Sequence, residues 1–260
     1  MKNPNKLTRK ELTEYKGQDQ IISSFDLAEM IRYSKDMPVI NSKIPLLDYH
    51  LEGGFEGGEL ISVSGPPKTG KSLLMQSLTL SFLDQGYKSL WFQYEVTPKR
   101  FIEGFSDLPK FYLPQKLEAY NLPWIETRIL EAILKHGIKV VFIDHLHYLF
   151  DLVSQKNTSL QIGSVIRLLK QIAVKYNIII FLACHMKKVT FDKEPSDEDI
   201  RDSSLIGSES DTVLIIWRTP KTETEAILKL RYARRSGARD KKIRLIKIDG
   251  MLRQVEDNDE

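Results

Sequence analysis

The run Gly65-Pro66-Pro67-Lys68-Thr69-Gly70-Lys71-Ser72 decides how the rest of the chain reads. It fits G-x-x-x-x-G-K-[ST] and stands between an apolar stretch, Glu59 to Ser64, and a run with helical apolar spacing, Lys71 to Gln85. That is the strand–loop–helix setting the pattern requires. Such a loop turns its backbone N–H groups inward around phosphates, glycines permit the path, and the helix N-terminus adds partial positive charge. Lys71 reaches the β- and γ-phosphates as a mobile cation, and Ser72 offers its hydroxyl to Mg²⁺. Gly65, Pro66, Pro67, Lys68, Thr69, Gly70, Lys71 and Ser72, with Leu73 next on the helix, are therefore predicted to hold Mg²⁺-ATP.

Outward from the loop the pattern alternates between strand and helix. Ser89–Tyr94, Lys139–Ile143, Asn177–Ala183 and Thr212–Trp217 read as strands, the middle two as runs buried on both faces. Pro98–Phe105, Trp124–His136 and Ser159–Tyr176 read as helices. Ala226–Tyr232 and Lys242–Ile248 alternate like an antiparallel edge. This predicts an α/β core with a mainly parallel sheet between helices. Upstream, residues 1–22 are polar and unpatterned, and Ser24 to Ile31 reads as a short helix capped by Ser24 and ended before Pro38. The predicted division is an arm with a linker helix at 1–38, an ATPase domain at 39–255 and an acidic tail at 256–260.

Apolar residues make up 42% of the 260, enough to build a full core. The single cysteine, Cys184, excludes an intrachain disulfide and fits a reducing cytosol. The charged N-terminus lacks the apolar core of a leader, and the longest apolar run, Ile178 to Cys184, is far shorter than the ~20 residues of a membrane helix. The expectation is a soluble cytoplasmic protein with no membrane contact. Net charge is +3, but it is unevenly spread. Lys229 to Lys247 holds nine basic residues and one acid, whereas Asp192 to Asp202 holds six acids and two bases.

Four further positions carry chemistry. Asp144 ends the apolar run KVVFI, the Walker B arrangement, and is predicted to hold the metal with Ser72. Glu95 follows SLWFQY at the same sheet edge, where a carboxylate can orient or deprotonate the attacking water. His185 ends NIIIFLAC and stands where a polar side chain senses the γ-phosphate. Arg234 and Arg235 lie on a turn between the last two strands. No arginine of the chain is evident near its own γ-phosphate, and Arg235 is a candidate finger, which, supplied by a neighbouring subunit, would stabilise charge on the γ-phosphoryl group.

Taken in order, these elements resemble the RecA-like ATPase domain of the DnaB-type replicative helicases and their phage-type relatives. The likeness spans about residues 39–250 and rests on INSKIPLLDYHLEGGFEGGEL, YEVTPKRF, IDHLHYLF, the helix–strand–sensor segment ending in ACHMKK, DSSLIGSESDTVLIIWR and RRSG. It implies a ring, usually of six subunits, that moves on single-stranded DNA with ATP between subunits, and a replication protein as partner. It implies that Lys71, Glu95, Asp144 and His185 act in cis and Arg235 in trans. Lys187 and Lys188 open the loop that contributes to DNA binding in the family. Three departures stand out: Ala233 where the family commonly has lysine, His185 where glutamine is common, and acids through Asp202 in the DNA-binding loop. Phe25-Asp26-Leu27-Ala28 also fits the F-x-x-A hook of RadA-type filament proteins, which keeps a recombinase open as a second reading. The acidic loop and tail keep open a third, a regulatory ATPase that acts on a protein.

Overall fold

The computed structural model describes residues 8–17, 20–33, 38–149, 158–186, 194–195, 203–218 and 225–255. These fall into two compact units, Met1–Asp36 and Met37–Glu260. The smaller holds α1 (Arg9–Thr13) and α2 (Ser24–Tyr33). The larger is built on an eight-stranded sheet. Its strands are β1 (Leu60–Gly65), β2 (Ser89–Gln93), β3 (Val140–Asp144), β4 (Ile179–His185), β5 (Thr212–Trp217), β6 (Glu225–Ala233), β7 (Arg239–Ile248) and β8 (Met251–Gln254). Its helices are α3 (Pro45–His50), α4 (Lys71–Asp84), α5 (Pro98–Ile102), α6 (Leu122–His136), α7 (Thr158–Tyr176) and α8 (Ser203–Glu209). The strand order is β2-β3-β4-β1-β5-β6-β7-β8. The first five strands in that order are parallel and the last three antiparallel.

The central parallel strands are buried along their length because each face meets its own helices. On one face Ile61, Val63, Trp91, Phe142, Phe181 and Leu214 pack with Leu74, Leu78 and Phe82 of α4. On the other, Leu60, Phe92, Val141, Ile143, Ile180 and Leu182 pack with Ile125 and Ile129 of α6 and Ile166 and Leu169 of α7. Alternate residues of one strand thus feed two cores, which is why period-two alternation is missing from their sequences. The edge strands do alternate. Ala226, Leu228 and Leu230 of β6 point into the core, and the residues between them are half-exposed.

Element bounds differ from the sequence expectation by no more than three residues, and β5 matches it at both ends; α1, which lies in the stretch read as unpatterned, α3, α8 and β8 are added elements. β8 is tied down by the Leu252 backbone N–H, which donates to Ser77 on α4 at 2.8 Å. Asp211, just before β5, joins three elements. It accepts from the Leu60 backbone N–H at 2.8 Å and from Lys170 of α7 at 2.6 Å.

In the smaller unit the cap of α2 is Ser23, not Ser24. The Ser23 hydroxyl accepts the Asp26 backbone N–H at 3.1 Å, and Asp26 accepts the Ser23 backbone N–H at 3.2 Å. A reciprocal box needs its acid three residues after the cap, and only Ser23 has one there. No residue of α2 is buried, and Phe25 is 86% exposed. The acidic tail, residues 256–260, and Lys187, Lys188 and nearly all of the acidic loop lie outside the described residues.

Candidate nucleotide site

β1 is flanked by β4 on one side and β5 on the other, and the chain crosses to opposite sides of it. Ligands of open α/β sheets bind beyond the strand C-termini at such a switch point. The phosphate loop leaves β1 there. Gly65 has no room for a side chain, since a Cβ would lie 2.2 Å from the Ile216 carbonyl oxygen. Gly70 caps α4 with φ at +110°, a conformation that only glycine adopts readily. Thr69 donates its hydroxyl to the carbonyls of Pro66 (2.8 Å) and Ile216 (3.1 Å), stapling the loop to β5. Lys71 is buried, and its ammonium donates to the carbonyls of Gly65 (2.9 Å) and Pro66 (3.0 Å). Burial holds that ammonium below its ordinary pKa, opposed by the charges of Asp144 and Glu95.

Asp144, 1% exposed, ends β3 beside this loop. Its Oδ2 accepts the Ser72 hydroxyl at 2.6 Å, a short charge-assisted bond. Its Oδ1 is buried and accepts from nothing among the described residues. Leaving a buried acceptor unsatisfied costs roughly 1–3 kcal/mol, and more when the group is charged. A hydroxyl and a carboxylate with a spare oxygen are the hard ligands Mg²⁺ takes. Ser72 and Asp144 therefore fit that ion.

Glu95 lies two residues beyond the end of β2. Although Glu95 is exposed at the cavity rim, its carboxyl is pushed above the ordinary range by partial desolvation first and by the Asp144 charge second. His185 ends β4 and is paired in register with Gly65 of β1. Lys68, Gly70, Lys71, Ser72, Leu73, Glu95, Asp144 and His185 line one cavity of about 320 Å³. A separate cavity of about 420 Å³, lined by Leu90, Tyr112, Trp124, Arg128 and His136, contains none of this machinery.

Sequence reasoning passed over four residues that belong here. Gln93, the last residue of β2, donates to Asp144 Oδ2 at 3.2 Å and accepts the Glu95 backbone N–H at 2.8 Å. A polar residue at the end of a fully buried strand was its signal. His145 is 7% exposed and lies against His185, with ring centroids 3.9 Å apart. Burial, then the neighbouring His185, His147 and Lys71, lower its pKa to about 3. Arg100 and Arg218 line the cavity in cis, which corrects the expectation that the chain has no arginine near its own nucleotide. Arg218 directly follows β5, so its place depended on sheet order rather than on any motif.

Arg235 does not line this cavity. Its guanidinium donates to the carbonyls of Leu51 (2.7 Å) and Gly54 (2.6 Å) and to Glu59 (3.2 Å), with Glu52 and Glu56 at 3.6 and 3.3 Å. Arg234 bonds the Ser208 carbonyl at 2.8 Å and faces Asp211 at 3.5 Å.

The sheet order and the loop–carboxylate pair define a P-loop ATPase core of the RecA-like class. A family model described as DnaB-like helicase C terminal domain matches residues 110–253, and one described as KaiC, an ATPase, matches residues 40–110. The first covers more than half of the 260 residues, so the chain belongs to the DnaB-like helicase C-terminal domain family. The replicative DNA helicase DnaB of Helicobacter pylori is 22% identical over 238 residues, covering 78% of this chain and 46% of that protein. A solved structure described as an ATPase domain superposes with a TM-score of 0.74 at 16% identity, covering 91% of this chain and 100% of that one. A DnaB-like replicative helicase, described together with its interactions with primase, superposes at 0.73 and 16% identity, covering 95% of this chain and 70% of that one. The chain spans between 21% and 54% of the length of the curated replicative helicases it matches. No helix among the described residues is long and apolar enough to cross a membrane.

Proposed function

We propose that this chain is the ATP-driven motor core of a DnaB-type helicase: a ring, usually of six subunits, that hydrolyses Mg²⁺-ATP at subunit interfaces and moves on single-stranded DNA. The observation that carries this reading is the 2.6 Å bond from Ser72 to Asp144 Oδ2, with Oδ1 left over, inside a cavity that also holds Lys71, Glu95 and His185. Ser72 and Asp144 would hold Mg²⁺, which neutralises charge on the β- and γ-phosphates. The loop N–H groups and Lys71 bind those phosphates. Glu95 orients the attacking water and receives its proton, and its raised pKa suits a base. His185 meets the γ-phosphate from β4 and reports its loss to the segment beginning at Lys187 and Lys188. Arg235 serves the neighbouring subunit's nucleotide, and a replication protein such as a primase is the partner.

The engagement of Arg235 by its own chain favours a second reading, a switch ATPase acting on a protein, in which that arginine is structural. One assay separates the two. A motor shows hydrolysis stimulated by single-stranded DNA at low salt. The stimulation falls steeply as salt rises, because phosphate contacts release counterions. It also falls in Lys187→Ala with Lys188→Ala. Lys71→Ala hydrolyses nothing in either case. Turnover that no nucleic acid stimulates at low salt removes the motor reading.

A further inference from the structure

We propose that Glu95, His145 and His185 form a second cation site, for a borderline-soft divalent ion of the Zn²⁺ class, separate from the oxygen site of Ser72 and Asp144. One ligand atom from each of the three side chains lies within 4.8 Å of the other two. They come from the ends of three neighbouring parallel strands, β2, β3 and β4. The register places Gln93 opposite Asp144 and Ile143 opposite Leu182, so the three termini converge by construction of the sheet.

The ligand set argues for the class of ion. Two imidazoles and one carboxylate suit Zn²⁺ and its transition-metal neighbours, whereas Mg²⁺ demands oxygens in near-ideal octahedral geometry. Zn²⁺ bonds to nitrogen and oxygen are ~2.0–2.2 Å, which sets tetrahedral ligand atoms roughly 3.3–3.6 Å apart. Donors that lie within 4.8 Å of one another need to close by at most roughly 1.2–1.5 Å to reach that spacing. Glu95 is exposed on a turn and is the arm that moves, while His145 is buried. His145 Nδ1 accepts the His147 backbone N–H at 3.3 Å, beyond the normal range, so a metal–nitrogen bond displaces only a weak contact. Three protein ligands leave a fourth position open to water or a phosphate oxygen.

The distribution of histidines supports this. The chain has five, and three of them, His145, His147 and His185, form one cluster with ring centroids 3.9 to 5.6 Å apart. An ion held there occupies Glu95, so it withdraws the carboxylate from water and stops hydrolysis. That consequence rests on the motor reading, but the binding does not.

The test uses the full chain without nucleotide or DNA and titrates it with Co²⁺ as the spectroscopic stand-in. The expected result is one equivalent bound, with the strong visible absorption of four- or five-coordinate Co²⁺, displaced by Zn²⁺ and not by Mg²⁺. His145→Asn, His185→Asn and Glu95→Gln each weaken binding at least ~tenfold, the low end of the loss seen even for outer-shell changes. His50→Asn, on α3 and outside the cluster, leaves it unchanged. Absence of the visible bands in the unaltered protein overturns the proposal, as does undiminished Co²⁺ affinity in Glu95→Gln or in either histidine variant that folds. Because no nucleotide is present, either result leaves the motor reading to its own assay.

Discussion

Gln93 donates its side-chain amide to Asp144 Oδ2 at 3.2 Å across two parallel strands, and its carbonyl oxygen accepts the Glu95 backbone N–H at 2.8 Å. One amide therefore holds both the Asp144 carboxylate, the proposed metal ligand, and the start of the segment that carries Glu95, the proposed base. Gln93 lines the same cavity and acts there through these two neighbours, as a positioning residue.

Gln93→Leu keeps the size and removes both bonds. A hydrogen bond to a charged group contributes ~1.5–3 kcal/mol, so turnover is expected to fall roughly 10- to 100-fold. Nucleotide affinity stays near normal, because the phosphate loop is untouched, while the Mg²⁺ concentration needed for half-maximal rate rises. An unchanged Mg²⁺ requirement would show that Gln93 only fills space.

Arg235 poses a question of cis against trans. Glu95→Gln is expected to bind ATP but to lose about 10²–10⁴ in rate, since the base is gone and the shape is kept. Arg235→Ala is expected to be nearly inactive, as removing a finger costs ~10³–10⁵. Mixing the two inactive variants restores part of the activity if subunits exchange, because some interfaces then pair an intact Glu95 with an intact Arg235. No rescue at any ratio, with exchange shown by labelled subunits, assigns Arg235 to its own chain's Glu52, Glu56 and Glu59.

Asp211 tests the scaffold apart from the chemistry. Its carboxylate accepts from Leu60 and pairs with Lys170 at 2.6 Å, with side-chain exposures of 12% and 26%. Asp211→Ala leaves a buried strand N–H unpaired and takes the carboxylate from a half-buried ammonium, which keeps the Gly58 carbonyl at 2.8 Å. The expected loss is about 3 kcal/mol, the low end for removing one partner of a buried pair. Urea unfolding checks it, and a loss under ~0.5 kcal/mol, the size of an ordinary surface change, would mean water replaces the carboxylate.

Much of this protein was legible along the chain because the deciding chemistry is contiguous. Gly65 to Ser72 names a phosphate loop within eight residues, and the apolar runs at Val140 and Ile179 announce strands buried on two faces. Asp144 stands out along the chain because a carboxylate closes such a run, and the structure sets it beside Ser72. The cap of α2 was missed by one residue because Ser23 and Ser24 are adjacent, and the choice lies with Asp26, whose carboxylate sits three residues after Ser23. β8 was missed because Met251 to Gln254 is too short to show a period.

What the chain's order does not contain is which strand lies beside which. Gln93, Asp144 and His185 are 51 and then 41 residues apart, and they meet because β2, β3 and β4 are neighbours. His145 looked like an ordinary residue after a strand until β4 brought His185 to within 3.9 Å of its ring. Arg218 entered the cavity through the place of β5 beside β1. Arg235, read along the sequence as a finger at a neighbouring subunit's nucleotide, is held by carbonyls and carboxylates from residues 51–59 of its own chain. Local patterns specify periodicity, caps and the phosphate loop because those forces act over a few residues. Long-range pairing depends on burying both faces of one sheet at once, and that choice is made by the packed chain as a whole.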